Sequence, residues 1–80
     1  MMKLYNLDGC PYCVRVRRKL AELGLEYQKI DVPGYRQDRV ELIEVSGQCM
    51  VPTLVLDDGR VIADDDQAII AYLEEYCGQS

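Results

Sequence analysis

The sequence predicts an α/β domain: a four-stranded mixed sheet flanked by helices, in the order β-α-β-α-β-β-α. Three observations carry this expectation. The chain opens strand, helix, strand, and such a unit joins parallel strands through a right-handed crossover. Asp57-Asp58-Gly59 separates two short apolar runs, as a hairpin turn does. Near the end, Ile69, Tyr72, Leu73 and Tyr76 recur at i, i+3, i+4 and i+7, one face of a helix.

Each element has its own local reason. Met2 to Leu7 is apolar-rich and reads as the first strand, broken by Asp8-Gly9. Pro11 suits the first turn of a helix, where its missing N–H is not needed. That helix runs to about Leu23, with Val16, Leu20 and Leu23 inward, and Gly24 ends it. Leu25 to Val32 reads as the second strand, followed by a Pro33-Gly34 turn. Arg36 to Val45 is a second helix with Val40, Ile43 and Leu42 as candidate inward positions, closed by Ser46-Gly47. Thr53 to Leu56 and Arg60 to Ala63 are the hairpin strands. Asp64-Asp65-Asp66 opens the last helix, one of them as its cap, and Gly78 closes it.

Eighty residues are enough for a single domain with one modest core, spanning 1–80. No apolar stretch approaches the ~20 residues of a membrane span. The first residues turn polar at once, so no signal peptide and a cytoplasmic location are expected. Residues 1–40 hold eight Lys/Arg against five Asp/Glu, whereas residues 41–80 hold one Arg against nine acids. The net charge of −5 argues against nucleic acid as a partner.

The four cysteines do not fit a zinc site, because only Cys10 and Cys13 are close and there is no His. They do fit a redox pair. Cys10 sits where a strand ends and a helix begins, and the unpaired N–H groups there favour a thiolate. Cys10 is therefore the expected attacking sulfur and Cys13 the more buried, resolving one. Lowering a thiol pKa from about 8.5 to about 6 gives roughly thirtyfold more thiolate at pH 7, but intrinsic nucleophilicity falls about 13- to 18-fold. The larger benefit is on departure from a mixed disulfide. Arg15, Arg17, Arg18 and Lys19 crowd the same helix, as thiolate partners or as a solvated face. Cys49 and Cys77 read as incidental thiols, with a regulatory role for Cys49 kept open.

Leu4-Tyr5-Asn6-Leu7 followed by Cys10-Pro11-Tyr12-Cys13 resembles the glutaredoxins, and so does Gly47 to Leu54 with its Val51-Pro52 step. The tail, Asp57 to Leu73, is similar to the N-terminal domain of glutathione transferases. The resemblance implies a thioredoxin-like (glutaredoxin) fold and a dithiol enzyme that reduces protein disulfides and glutathione mixed disulfides. It implies no bound cofactor, with glutathione as co-substrate. Pro52 would be cis, beside the cysteine pair. Val51 would offer its main chain to glutathione, and Tyr12 would line the sulfur pocket. Asp65 and Asp66 would hold the γ-glutamyl ammonium, and Arg39 and Gln48 would reach the glycyl carboxylate. The implied partners are disulfide-containing or glutathionylated proteins, with no membrane and a monomeric chain. The helical second domain of the transferases has no counterpart, so transfer to a second substrate is not expected. Leu7-Asp8-Gly9 lacks the basic residue usual before the first cysteine. Reduction by a thioredoxin reductase or another thiol therefore stays open, as does a glutathione- or iron–sulfur-binding module without turnover.

Overall fold

The computed structural model describes residues 1–63 and 65–78, the last two by backbone alone. Strand β1, Met2–Asn6, is the centre of the fold. Successive side chains of a strand point to opposite faces. Met2 and Leu4 accordingly join one core cluster and Tyr5 joins another. β1 pairs in parallel with β2 (Tyr27–Asp31) and antiparallel with β3 (Thr53–Val55). β3 pairs antiparallel with β4 (Val61–Ala63), giving the order β2-β1-β3-β4. The sheet is mixed and four-stranded, as expected.

Helices α1 (Pro11–Glu22) and α3 (Asp66–Gly78) pack against each other. Their Val16, Leu20, Ile69 and Leu73 bury against Met2, Leu4, Leu54 and Leu56. The second cluster joins Tyr5, Val32, Val51 and Cys13 to Leu42 of α2 (Val40–Ser46). The end of α1 shows why Gly24 stands there. Its φ is +66°, which costs other residues strain. This lets Leu25 N–H reach Leu20 O at 3.0 Å and Gly24 N–H reach Ala21 O at 3.1 Å, the paired bonds that close a helix. Leu25 is thereby spent on the cap, and β2 starts at Tyr27 rather than Leu25.

Two expected stripes differ. The helix expected over 36–45 is split into a 3₁₀ turn, Arg36–Asp38, and α2. Arg39 between them is non-helical (φ −86°, ψ 59°), held by bonds described below. The break rotates the stripe, so Leu42 is buried while Val40 is 59% and Ile43 40% exposed. In α3, Ile69 and Leu73 are buried, but Tyr76 is exposed. Its ring lies 6.1 Å from that of half-buried Tyr72 at the margin of the core, where an amphipathic side chain keeps its polar tip wet. The expectations for Asp64 and for the Cys77 side chain lie outside the described residues.

These placements separate neighbours in α2. Leu42→Ala is expected to cost about 2–5 kcal/mol of unfolding free energy, the range for emptying a packed core site. Val40→Ala should stay within about 0.5 kcal/mol of the parent. Urea unfolding of both variants checks this, and equal losses would contradict the split helix.

Candidate functional site

The chain leaves β1 through a tight turn in which Cys10 N–H bonds Leu7 O at 3.0 Å. Cys10 then caps α1 with an extended backbone (φ −89°, ψ 116°), and its carbonyl accepts the Val14 N–H at 3.2 Å. Pro11 occupies the first helical position, where no donor is lost. The Cys10 thiol makes no capping bond. Cys10 is half-buried, while Cys13, one turn in, has no exposed surface. Both are free thiols, as is Cys49.

The two sulfurs differ in chemistry as well as access. Burial pushes the Cys13 thiol up to about 11, and the neighbouring Cys10 adds to the rise. A main-chain hydrogen bond from Leu7 and the charge of Arg17 act against it. Cys13 is therefore protonated at neutral pH. Tyr12 is 52% exposed beside the pair. The Arg15 guanidinium lies 5.6 Å from the Tyr12 ring centre and 3.4 Å from the Asp66 carboxylate. Tyr12, Arg15 and Asp66 thus form one rim across α1 and α3.

The Val51–Pro52 peptide is cis. Val51 shares a cluster with Cys13, and Cys10 packs against it. Among the described residues, the main-chain N–H and C=O of Val51 have no main-chain partner. Asp65 caps α3, its Oδ1 accepting the Ala68 N–H at 3.0 Å. The capping reading thus holds for Asp65, which leaves its other oxygen for a ligand.

Arg39 and Gln48, expected to reach a carboxylate, are bonded within the chain. Arg39 is 5% exposed and donates to the carbonyls of Pro33 (2.8 Å), Gly34 (3.3 Å) and Cys49 (2.8 Å). Gln48 donates to Ser46 Oγ (2.8 Å) and Thr53 Oγ1 (3.0 Å), and accepts the Met50 N–H at 2.6 Å. Three of the five Arg39 donors and both Gln48 amide donors go to the segment around residues 33–53 that leads into and follows Val51. Among the other basic residues of α1, Lys19 pairs with Glu22 at 3.1 Å and Glu74 at 3.8 Å, which takes it out of the site. Sequence reasoning gave no role to Asn6. It is fully buried at the end of β1 and bonded to Arg17, Asp8 and Asp31. A polar residue closing an apolar strand beside a cysteine pair was the available signal.

Residues 4–80 match the family model described as the N-terminal domain of glutathione S-transferases. The chain is 31% identical over 65 residues to glutaredoxin 3 of Escherichia coli (strain K12), covering 81% of this chain and 78% of that protein. It is 32% identical over 63 residues to a glutaredoxin of Pseudomonas aeruginosa, covering 79% and 75%. Among solved structures it resembles glutaredoxin 2 from Salmonella typhimurium in complex with glutathione (TM-score 0.84, 29% identity, 98% of this chain and 34% of that one). It also resembles glutathione transferase E6 from Drosophila melanogaster (TM-score 0.82, 39% identity, 100% and 36%). The chain spans about a third of the length of those two structures.

The Cys13 environment sets a pH dependence of stability. The folded protein holds this thiol protonated beyond the ordinary value of 9.0, up to about 11. Below pH 9 both folded and unfolded states keep the proton, and the stabilising difference is complete. As pH rises through about 11 it is lost, a fall of about 2–3 kcal/mol for this group. Denaturant unfolding of the reduced protein at pH 8 to 11 should show this loss, diminished by that amount in Cys13→Ala. Identical pH profiles for the two proteins would rule the effect out.

Proposed function

Since this chain belongs to the glutaredoxin family of thioredoxin-like proteins, we propose that its glutaredoxin-type redox function is that of a glutathione-dependent dithiol oxidoreductase. The observation that carries the reading is the asymmetry of the pair: Cys10 is only half-buried and makes no capping bond, whereas Cys13 is fully buried and protonated.

The chemistry follows from that asymmetry. The Cys10 thiolate attacks a disulfide R–S–S–R′, forming Cys10–S–S–R and expelling R′–S⁻, which takes a proton from water. Cys13 loses its proton and attacks the Cys10 sulfur, forming the Cys10–Cys13 disulfide and expelling R–S⁻. Two glutathione thiols then restore the dithiol, and glutathione disulfide carries the electrons away. Where R is glutathione, a second glutathione can complete the cycle without Cys13.

Glutathione is supported by the main chain around Val51, whose free N–H and C=O suit strand-like pairing with a peptide. Asp66, with the spare oxygen of Asp65, suits the γ-glutamyl ammonium. The Arg15–Asp66 contact is long, at 3.4 Å, and open to exchange with that ammonium. Tyr12 lines the approach to Cys10.

A second reading, reduction by a thioredoxin reductase or another low-molecular-weight thiol, has its own support. Asp8 replaces a base before Cys10, and Arg39 and Gln48 are bonded internally. One assay separates the readings: reduction of a protein disulfide and of a glutathionylated peptide with glutathione as sole electron source. The parent is expected to turn over both. Cys10→Ser should lose both, and Cys13→Ser should keep deglutathionylation while losing most protein-disulfide reduction. Absence of parent turnover with glutathione, restored by a thioredoxin reductase, would favour the second reading.

A further inference from the structure

Burying an amide costs free energy unless its hydrogen bonds are made. Those of Asn6 are. Its Nδ2 donates to Asp31 Oδ1 at 2.8 Å and to Asp8 Oδ1 at 3.2 Å, and its Oδ1 accepts from Arg17 Nη1. Asp8 Oδ1 lies 4.0 Å from the same guanidinium nitrogen. Three elements meet on one side chain: the end of β1, α1, and the end of β2 where Asp31 pairs with Asn6.

Arg17 follows Cys13 by one helical turn, so the two share a face of α1. A helical side chain covers the turn on the N-terminal side of its own Cα. For Arg17 that is the turn that holds Cys13. An unclamped arginine would sweep through many rotamers and spend its charge on solvent. The bond to a buried amide removes that freedom.

We propose that Asn6 is a positioning residue that fixes the Arg17 guanidinium over the Cys13 turn, where its charge eases formation of the Cys13 thiolate in the resolving step. The proposal rests on Cys13 being the resolving thiol. In that step the Cys13 proton goes to water, the thiolate bonds the Cys10 sulfur, and the substrate thiolate leaves. A fixed positive charge lowers the free energy of the negative sulfur before the new bond forms.

The other groups around Cys13 do not supply that charge. Cys10 on the preceding loop becomes negative or carries the substrate, and it raises the Cys13 thiol. Tyr5 on β1 is kept neutral, because burial and Glu41 push its phenol upward. Leu42 and Val51 bring no charge from α2 and the cis-proline segment. Asp8 and Asp31 are negative and temper Arg17 through Asn6. Among these groups Arg17 is the cation, and its effect on Cys13 is downward.

A ¹³Cβ-cysteine NMR titration of the reduced protein reads each thiol separately. In Arg17→Met the Cys13 midpoint should rise by about half to one unit, a three- to tenfold loss of thiolate at a given pH. Asn6→Ala should give a similar rise with Arg17 still present, and the double variant should add little to either. Arg17→Lys should recover part of the shift, since it keeps charge and loses the fork. Asp8→Asn, at an exposed site, should move the midpoint the other way. A purely structural clamp changes stability and leaves the midpoint alone. An unmoved Cys13 midpoint in folded Arg17→Met would overturn the proposal; should Arg17→Met not fold, an unmoved midpoint in both Arg17→Lys and Asp8→Asn would do so. The titration uses no glutathione, so this outcome is independent of the reductant.

Discussion

The C-terminal end of β1 is hemmed in on every side. β2 and β3 flank it, α1 starts five residues later, and the Val51–Pro52 segment closes over the second core cluster. A chain leaving a central strand into that space can turn only through Leu7 to Cys10. The turn delivers Cys10 as a helix cap at the rim and Cys13 one turn below it. The difference between the two thiols is therefore a matter of depth along one short helix start. The sheet has to be assembled for that depth to exist, so folding and the unequal burial of the two thiols share the same contacts.

Much of this was legible in the sequence because it follows from local rules. Gly24, the Asp57-Asp58-Gly59 turn and Pro11 mark boundaries by backbone chemistry, and the structure respects them. Element order and the mixed sheet follow in turn. What escaped the sequence is set by bonds between distant residues. Arg39 breaks the expected helix because three carbonyls, one of them ten residues away, hold its side chain. Periodicity cannot register such a bond, so Val40 and Ile43 were expected inside and lie outside. Tyr76 misleads for another reason, since an amphipathic ring fits a helical stripe and a wet margin equally well.

The site residues divide the same way. The places of Cys10 at the helix cap and of Cys13 deeper in the first turn were readable from spacing. Arg39 and Gln48 fit a family pattern by position, but their hydrogen bonds turn inward. They shape the segment that precedes Val51, and a second polar cluster lies at Tyr12, Arg15 and Asp66.

The choice of partners for Arg39 has a consequence for acid tolerance. Its guanidinium is satisfied by carbonyl oxygens, and among the described residues no carboxylate lies within 4 Å of it. Carbonyls do not titrate, and arginine keeps its charge across the accessible range. The tie between the Pro33–Gly34 turn and the Cys49 carbonyl has no protonation event to undo it. Acidification that would dissolve the surface ion pairs of α1 and α3 leaves this strut in place. The shape of the segment before Val51 is insulated from pH, while the protonation of the buried Cys13 thiol beside it is not.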